Sequence, residues 1–348
     1  MPAISAADAI SPAIQRTRSF LFRPFRLSTY LKLCLVALLT EGTTGGSFNS
    51  FPRGSRSSHH TTNLASLPHF HITPIEIGAG IAMLALVALI GLFIFYLITR
   101  LRFAWFHCLV HNIREIGPGW RFYREPAARF FWLNVAVYVG FLVALAVVLM
   151  PFAAGFVGLF RNLQAGGRPS LGAIFALFLP LIPIFLLFVL AGIAVQILLR
   201  DLMLPHFALE NASAGAAWHA AWSRVRAEKG GFFVYALLRV LLPIAGAIGL
   251  VILLIIPAVV YVLAVVAVEV GLHAAFGHGV LGIFLGVSVG VIACLVAILV
   301  FIAAFGPIYT AVRYYALIFY GNRYQLLGER LYPPPPPAAI SAPAPVTP

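Results

Sequence analysis

Charge is scarce in this chain: Asp, Glu, Lys and Arg make up 9% of its 348 residues, where a soluble globular protein carries about a quarter. That shortage excludes an ordinary water-soluble domain. Lysine is nearly missing, with Lys32 and Lys229 the only two, so the formal net charge of +13 is almost wholly arginine. Cysteine is limited to Cys34, Cys108 and Cys294. Being odd in number and far apart, they imply neither a disulfide framework nor a zinc spacing and read as small apolar fillers. No compact basic domain accompanies the positive charge, so nucleic acid is not expected as a partner. The arginines point instead to membrane topology and to anionic lipid.

What the chain has in abundance is apolar length. It is 61% hydrophobic, with a mean hydropathy of +0.99. Residues 77–99, 130–160, 169–199, 240–268 and 270–312 contain no Asp, Glu, Lys or Arg, and a membrane-spanning helix needs about 20 apolar residues. The expected class is an all-α polytopic membrane helix bundle occupying residues 1–332. The tail 333–348 begins "PPPPP", and its prolines lack the backbone donor that helix and sheet require; it is expected to be polyproline II or disordered, a spacer. A cleaved secretory signal is not expected, because the charged part before "LCLVALL" is too long and "LLTEGTTGG" lacks an Ala-x-Ala-like site.

Counting cations orders the spans. "TYLKLCLVALLT" is short for a crossing, but if residues 28–41 do cross, almost every cation falls on one side of the membrane. Only Arg53, Arg56, Arg161 and Arg168 then face outward, as the positive-inside rule favours. Six spans follow, at 28–41, 76–99, 131–158, 171–199, 232–256 and 280–304. Both termini and the connectors 100–130 and 200–231 would be cytoplasmic, with 42–75 and 159–170 outside. Residues 257–279 are apolar enough for a seventh span, which would put Arg313, Arg323 and Arg330 outside. A kinked continuation past Pro257 or an external re-entrant piece is preferred. Arg239 falls near the cytoplasmic end of its span, where its long side chain is expected to snorkel to the interface.

Basic amphipathic stretches precede spans one, three and five. "AIQRTR" and "AWSRVR" share Ala-x-x-Arg-x-Arg, and "WRFYREPAARFFW" is a looser third copy carrying Arg121, Arg124 and Arg129. Within residues 213–230, Trp218, Trp222 and Val225 recur at i, i+4, i+7 and share a helical face. Such a helix is expected to lie in the inner interface, with Trp218 and Trp222 toward acyl chains and Arg224, Arg226 and Lys229 toward anionic head groups. These stretches, with "RLRFAWFHCLVHN", "LLRDLMLPHFALENASAGAAWHAAW" and "GPIYTAVRYYALIFYG", resemble a family of bacterial multi-span inner-membrane proteins known only as a domain of unknown function. They are more distantly similar to the membrane domain joined to some glycerophosphodiester phosphodiesterases. The resemblance covers most of residues 11–330 and implies a helical membrane domain in the cytoplasmic membrane, without transferring any catalytic residue. The phosphodiesterase's soluble barrel has no counterpart in this chain.

Several motifs suggest chemistry and have simpler explanations. His107 and His111 stand one helical turn apart, as in His-Glu-x-x-His proteases, but Cys108 occupies the general-base position, so they read as polar residues of a connector. His59, His60, His69 and His71 lie in a Gly/Ser/Thr-rich loop and are the weak candidates for a metal. "GHGVLG" and "GVSVG" match phosphate-loop and nucleophile-elbow patterns but lack the preceding strand those need. Gly282, Gly286 and Gly290 instead recur every four residues and clear one face for close helix approach.

No catalytic constellation and no cofactor are expected. The leading reading is a non-enzymatic membrane protein that organises lipid or an unknown membrane partner. A transporter is the alternative, with Pro180, Pro183, Pro243 and Pro257 as helix breaks, and a metalloenzyme is third. The topology has a direct test. Cysteines introduced as Ser57→Cys and Ser223→Cys, in a background without the native three, should differ: an impermeant thiol reagent applied to intact cells should label position 57 and spare position 223.

Overall fold

The computed structural model describes residues 4–42, 74–167, 170–277 and 279–333. Among them every regular element is helical. The proline tail beyond 333, and His59, His60, His69 and His71, lie outside the described residues. In chain order the α-helices are α1 (Ile10–Phe22), α2 (Leu27–Glu41), α3 (Pro74–His111), α4 (Ile116–Phe122), α5 (Arg124–Leu149), α6 (Ala153–Gln164), α7 (Leu171–Phe178), α8 (Leu181–Ile197), α9 (Leu204–Leu209), α10 (Ala214–Ala227), α11 (Lys229–Phe276), α12 (Val280–Gly321) and α13 (Gln325–Leu331). A 3₁₀ turn, Met150–Phe152, joins α5 to α6, and a π-helical stretch, Leu198–Met203, joins α8 to α9.

Five segments are long and apolar enough to cross a bilayer: Gly78–His111, Arg124–Gln164, Ile174–Leu209, Lys229–Phe276 and Val280–Gly321. Hydrocarbon offers no hydrogen-bond partner, so an apolar run that enters it must satisfy its backbone internally, as a helix does. Residues 257–279 resolve the ambiguity of the sequence: α11 runs through both Pro243 and Pro257 to Phe276 as one helix. At 1.5 Å per residue it is ~72 Å long. It turns at Gly277, whose φ of +62° suits glycine, and returns as α12. Tyr261 donates to the Ala293 carbonyl at 2.6 Å across this pair.

The expected first span, residues 28–41, behaves differently. At 15 residues α2 measures ~22 Å and is not among the five. Its contacts with α12 advance together along both helices. Tyr30 donates to the Ala303 carbonyl at 2.7 Å, Cys34 touches Gly306, and Gly42 abuts the Tyr309 ring. The two helices thus run in the same direction, whereas alternating crossings would have opposed the first span to the sixth. Charge counting assigns a side to a segment, but it does not foresee that α2 packs into a notch at Gly306, where a Cβ would lie 2.2 Å from that of Cys34.

The most apolar window of each of the five long segments has no buried residue. The packed core sits at the arginine-rich end of the bundle and is aromatic. Phe20, Phe103, Trp105, Phe106, Phe130, Phe207, Tyr235, Tyr314, Tyr315, Phe319 and Tyr320 are all fully enclosed there. Both ends of the described chain meet at this core: Arg323 donates to the Ile4 carbonyl at 3.3 Å and Arg16 to that of Leu331. The short α4 folds back on α3 because Gly119 has no side chain; a Cβ there would come within 2.9 Å of the His107 Cβ.

The glycines of the hairpin differ in how closely they are approached. Gly282 faces the Gly277 carbonyl, 2.3 Å from where its Cβ would be, while Gly286 and Gly290 meet His273 and Glu269 of α11 at ordinary contact distances, 3.7 and 3.6 Å. Gly306 is the tightest against another helix. Gly306→Ala should therefore lower thermal stability in detergent by the ~1–3 kcal/mol typical of overpacking, while Gly286→Ala should stay within ~0.5 kcal/mol of the parent. Equal melting of the two variants would mean that α2 does not seat against α12.

Candidate functional site

Six charged side chains converge where the apolar spans meet the aromatic core. Glu41 is the last residue of α2, Arg102 belongs to α3, Arg239 to α11 and Arg313 to α12. Arg200 and Asp201 come from the π-helical stretch, all six of whose residues are buried. Successive residues of an α-helix point about 100° apart and rarely share an environment. The wider π turn, a feature found often at functional sites, accompanies the joint burial of this adjacent pair.

Together they close a ring. Arg239 donates from Nε to Asp201 at 2.9 Å and from Nη2 to Glu41 at 2.7 Å. Arg313 reaches the same two carboxylates, with Nη1 2.7 Å from Asp201 Oδ1 and Nε 3.7 Å from Glu41 Oε1. Arg200 approaches Glu41 at 3.1 Å, and the Tyr235 hydroxyl donates to Asp201 at 2.8 Å. Arg102 and Arg200 both donate to the Thr40 carbonyl. Burying an ion costs several kcal/mol, which Coulomb attraction offsets only when geometry is close and the remaining donors and acceptors are met. Here every carboxylate oxygen has a cation beside it. Four guanidinium groups against two carboxylates still leave an excess of two positive charges, since arginine stays protonated in proteins.

Above the ring lies a cavity of about 810 Å³. Its charged floor is Glu41, Arg200, Asp201 and Arg239. Its walls are apolar: Val137 and Phe141 of α5, Val189 and Ile193 of α8, and Pro243, Ile244 and Ala247 of α11. Tyr138 and Gln196, hydrogen-bonded to each other at 2.7 Å, complete the polar part together with Tyr309. The arrangement can hold a molecule with an apolar body and a polar end.

Arg239 corrects an expectation. Its side chain is 11% exposed and pinned between two carboxylates, so it does not snorkel to the interface. Snorkelling describes a cation with no partner at its own depth, and the partners of Arg239 come from α2 and from the π turn. Asp201, one of only two aspartates in the chain, sits in an Arg-Asp pair directly after an uncharged run; that was the legible trace of the site.

The interface residues expected from sequence take several positions. Trp218 and Trp222 are exposed and stacked, with ring centres 5.9 Å apart, and Arg226 lies over the Trp222 ring at 5.5 Å. Lys229, Arg121 and Arg124 are exposed; Arg129 is exposed and hydrogen-bonds the Asn211 side chain. Arg224 instead turns to the protein, donating to the carbonyls of Ala220 and Arg323 at 2.7 and 3.3 Å and lying over Tyr324. Beside it Glu228 accepts two 2.7 Å hydrogen bonds from Arg323, which hold its carboxyl below the usual range. His107 Nδ1 lies 3.4 Å from the Tyr123 hydroxyl, and no cluster of three His, Cys, Asp or Glu suited to a metal occurs among the described residues.

Five apolar helical segments long enough to span a bilayer, a core at one end and an ion ring between them define a helical integral membrane protein. Residues 4–329 match the family described as a family of unknown function, DUF7544, and the chain belongs to it. No curated protein and no solved structure matches the chain.

The ring makes a measurable commitment. Arg239→Gln would leave Asp201 and Glu41 short of a cation and should cost about 3–5 kcal/mol of stability in detergent. Adding Glu41→Gln to it should cost less than the sum of the two single changes, with a coupling of at least ~1 kcal/mol. Additive effects would show that the two side chains do not share a buried contact.

Proposed function

We propose that this protein binds an amphiphile drawn from the bilayer, a lipid or lipid-like molecule, in the cavity above the ion ring, and so organises membrane lipid without transforming it. The observation that carries this reading is the pairing of apolar walls with a charged floor in one cavity at the end of the apolar spans. Binding cavities for small molecules fall in the range of about 300–1,000 Å³ and are mostly apolar with a few placed polar groups. A lipid enters such a site from the membrane without leaving hydrocarbon.

The placement of the remaining cations supports the same reading. Arg121, Arg124, Arg226 and Lys229 are exposed at the arginine-rich end, beside the stacked Trp pair. By the positive-inside rule that end faces the cytoplasm, and its cations face the anionic inner leaflet. The cytoplasmic membrane is the expected location, with both termini inside.

A transporter is the second reading, favoured by Pro243 in the cavity wall. Ion coupling would need a carboxylate able to exchange its cation, and the oxygens of Glu41 and Asp201 are already engaged by arginine, which favours binding over transport. The metalloenzyme reading rested on histidines outside the described residues.

The test is to fill the cavity. A Cβ on Gly192 meets nothing within 4 Å, so Gly192→Phe should be tolerated while occupying the space between the walls. Protein purified in mild detergent should carry a stoichiometric lipid by mass spectrometry, and Gly192→Phe should lose most of it while melting at a similar temperature. Equal lipid retention by both proteins would refute the reading.

A further inference from the structure

We infer that the cavity selects an amphiphile whose polar end is anionic and carries phosphate, seated against Arg200 and Arg239. This rests on the amphiphile reading above and names its ligand class. The first observation is electrostatic. The ring holds two more guanidinium groups than carboxylates, all in the enclosed end of the bundle. A surplus of buried positive charge is costly where the dielectric is low, and an anion in the adjoining cavity offsets it. At the floor itself Glu41 and Asp201 balance Arg200 and Arg239, and the surplus is that of Arg102 and Arg313, which belong to the same ring but stand behind the cavity lining.

The second observation is a donor without an acceptor. Arg200 is 3% exposed and lines the cavity. One of its amino groups serves Glu41 and the Thr40 carbonyl, yet its Nε has no hydrogen-bond partner in the protein and is itself enclosed rather than open to the cavity. Buried donors are almost always satisfied. A guanidinium presents its donors as a planar fork that matches phosphate oxygens in pairs. Arg239, the ring cation with the most exposure and also a lining residue, supplies a second guanidinium at the same floor.

The cavity walls decide between a lipid and a soluble ion. Free phosphate would leave the apolar lining from α5, α8 and α11 unfilled, whereas a phospholipid occupies floor and walls together. A zwitterionic head group brings its own cation toward a ring whose net charge is already positive, so phosphatidic acid or phosphatidylglycerol should be preferred over phosphatidylcholine.

The experiment is competitive lipid binding to the full-length protein, delipidated in detergent and read by native mass spectrometry. The probes are phosphatidic acid, phosphatidylglycerol, phosphatidylcholine and diacylglycerol of one acyl composition, with inorganic phosphate as a soluble competitor. Phosphatidic acid and phosphatidylglycerol should bind at least about tenfold more tightly than diacylglycerol, which corresponds to one favourable charged contact. Inorganic phosphate at the same concentration should not displace them. Arg200→Gln should bring anionic lipid and diacylglycerol within about twofold of each other, and Arg200→Lys, which keeps the charge without the fork, should fall between. If Arg200→Gln does not fold, the head-group ranking in the parent protein decides alone. Equal binding of anionic lipid and diacylglycerol overturns the anionic selection and leaves the amphiphile reading intact. Absence of all lipid binding overturns both. Displacement by inorganic phosphate alone makes the site one for a soluble anion and overturns the lipid assignment.

Discussion

Arg239 spans the gap between Asp201 and Glu41, and through it the π turn, α2 and α11 are held at one point; Arg313 repeats the link from α12. The rest of the arrangement depends on this ring. Each carboxylate is tolerable in the interior only while the guanidinium groups stay within contact distance, and each guanidinium only while the carboxylates do. Four segments distant in sequence are thereby forced into a single geometry. Apolar packing alone, which tolerates sliding and rotation between smooth helices, does not impose such a constraint on a membrane bundle.

The ring also marks the boundary between two solvents. On one side α11 and α12 continue as long helices whose side chains are exposed, including Leu253, Ile256, Leu263, Phe284 and Ile292. Those side chains need no protein partner, because acyl chains are as apolar as they are. On the other side the backbone turns repeatedly through α1, α4, α9, α10 and α13, and the aromatic residues cover those turns. The core is therefore built where the chain is least apolar. Enclosure there shields connector backbone groups that must be hydrogen-bonded. The cavity opens at this junction, so its walls take the character of the spans and its floor that of the ring.

Much of the fold was legible in the residues. Five long helices follow from five uncharged runs, and α10 from the spacing of Trp218, Trp222 and Val225. Gly282, Gly286 and Gly290 do face α11, yet the closest approach to another helix is at Gly306, which belongs to no repeat. The direction of α2 is hidden from the sequence for a related reason: a count of cations distinguishes sides of a membrane but holds no information about which helix a short segment lies beside. The candidate site was the least legible part. Glu41 and Arg239 stand 198 residues apart, and Asp201 and Arg313 stand 112 apart. Nothing periodic connects such positions, and each of the four has an ordinary explanation when read alone.

By itself the sequence determined that this chain lives in a bilayer as helices, and where its cations collect. Both follow from composition along the chain: an apolar run in hydrocarbon has no way to satisfy its backbone except internally, and arginines are costly anywhere but at the ends of spans. Only the tertiary structure decided which charges are neutralised and which remain in excess. Coulomb energy depends on separation in space and on the surrounding dielectric, and neither is a function of separation along the chain. Glu41, Arg200, Asp201, Arg239 and Arg313 became a site when folding brought them within contact distance and removed the water between them.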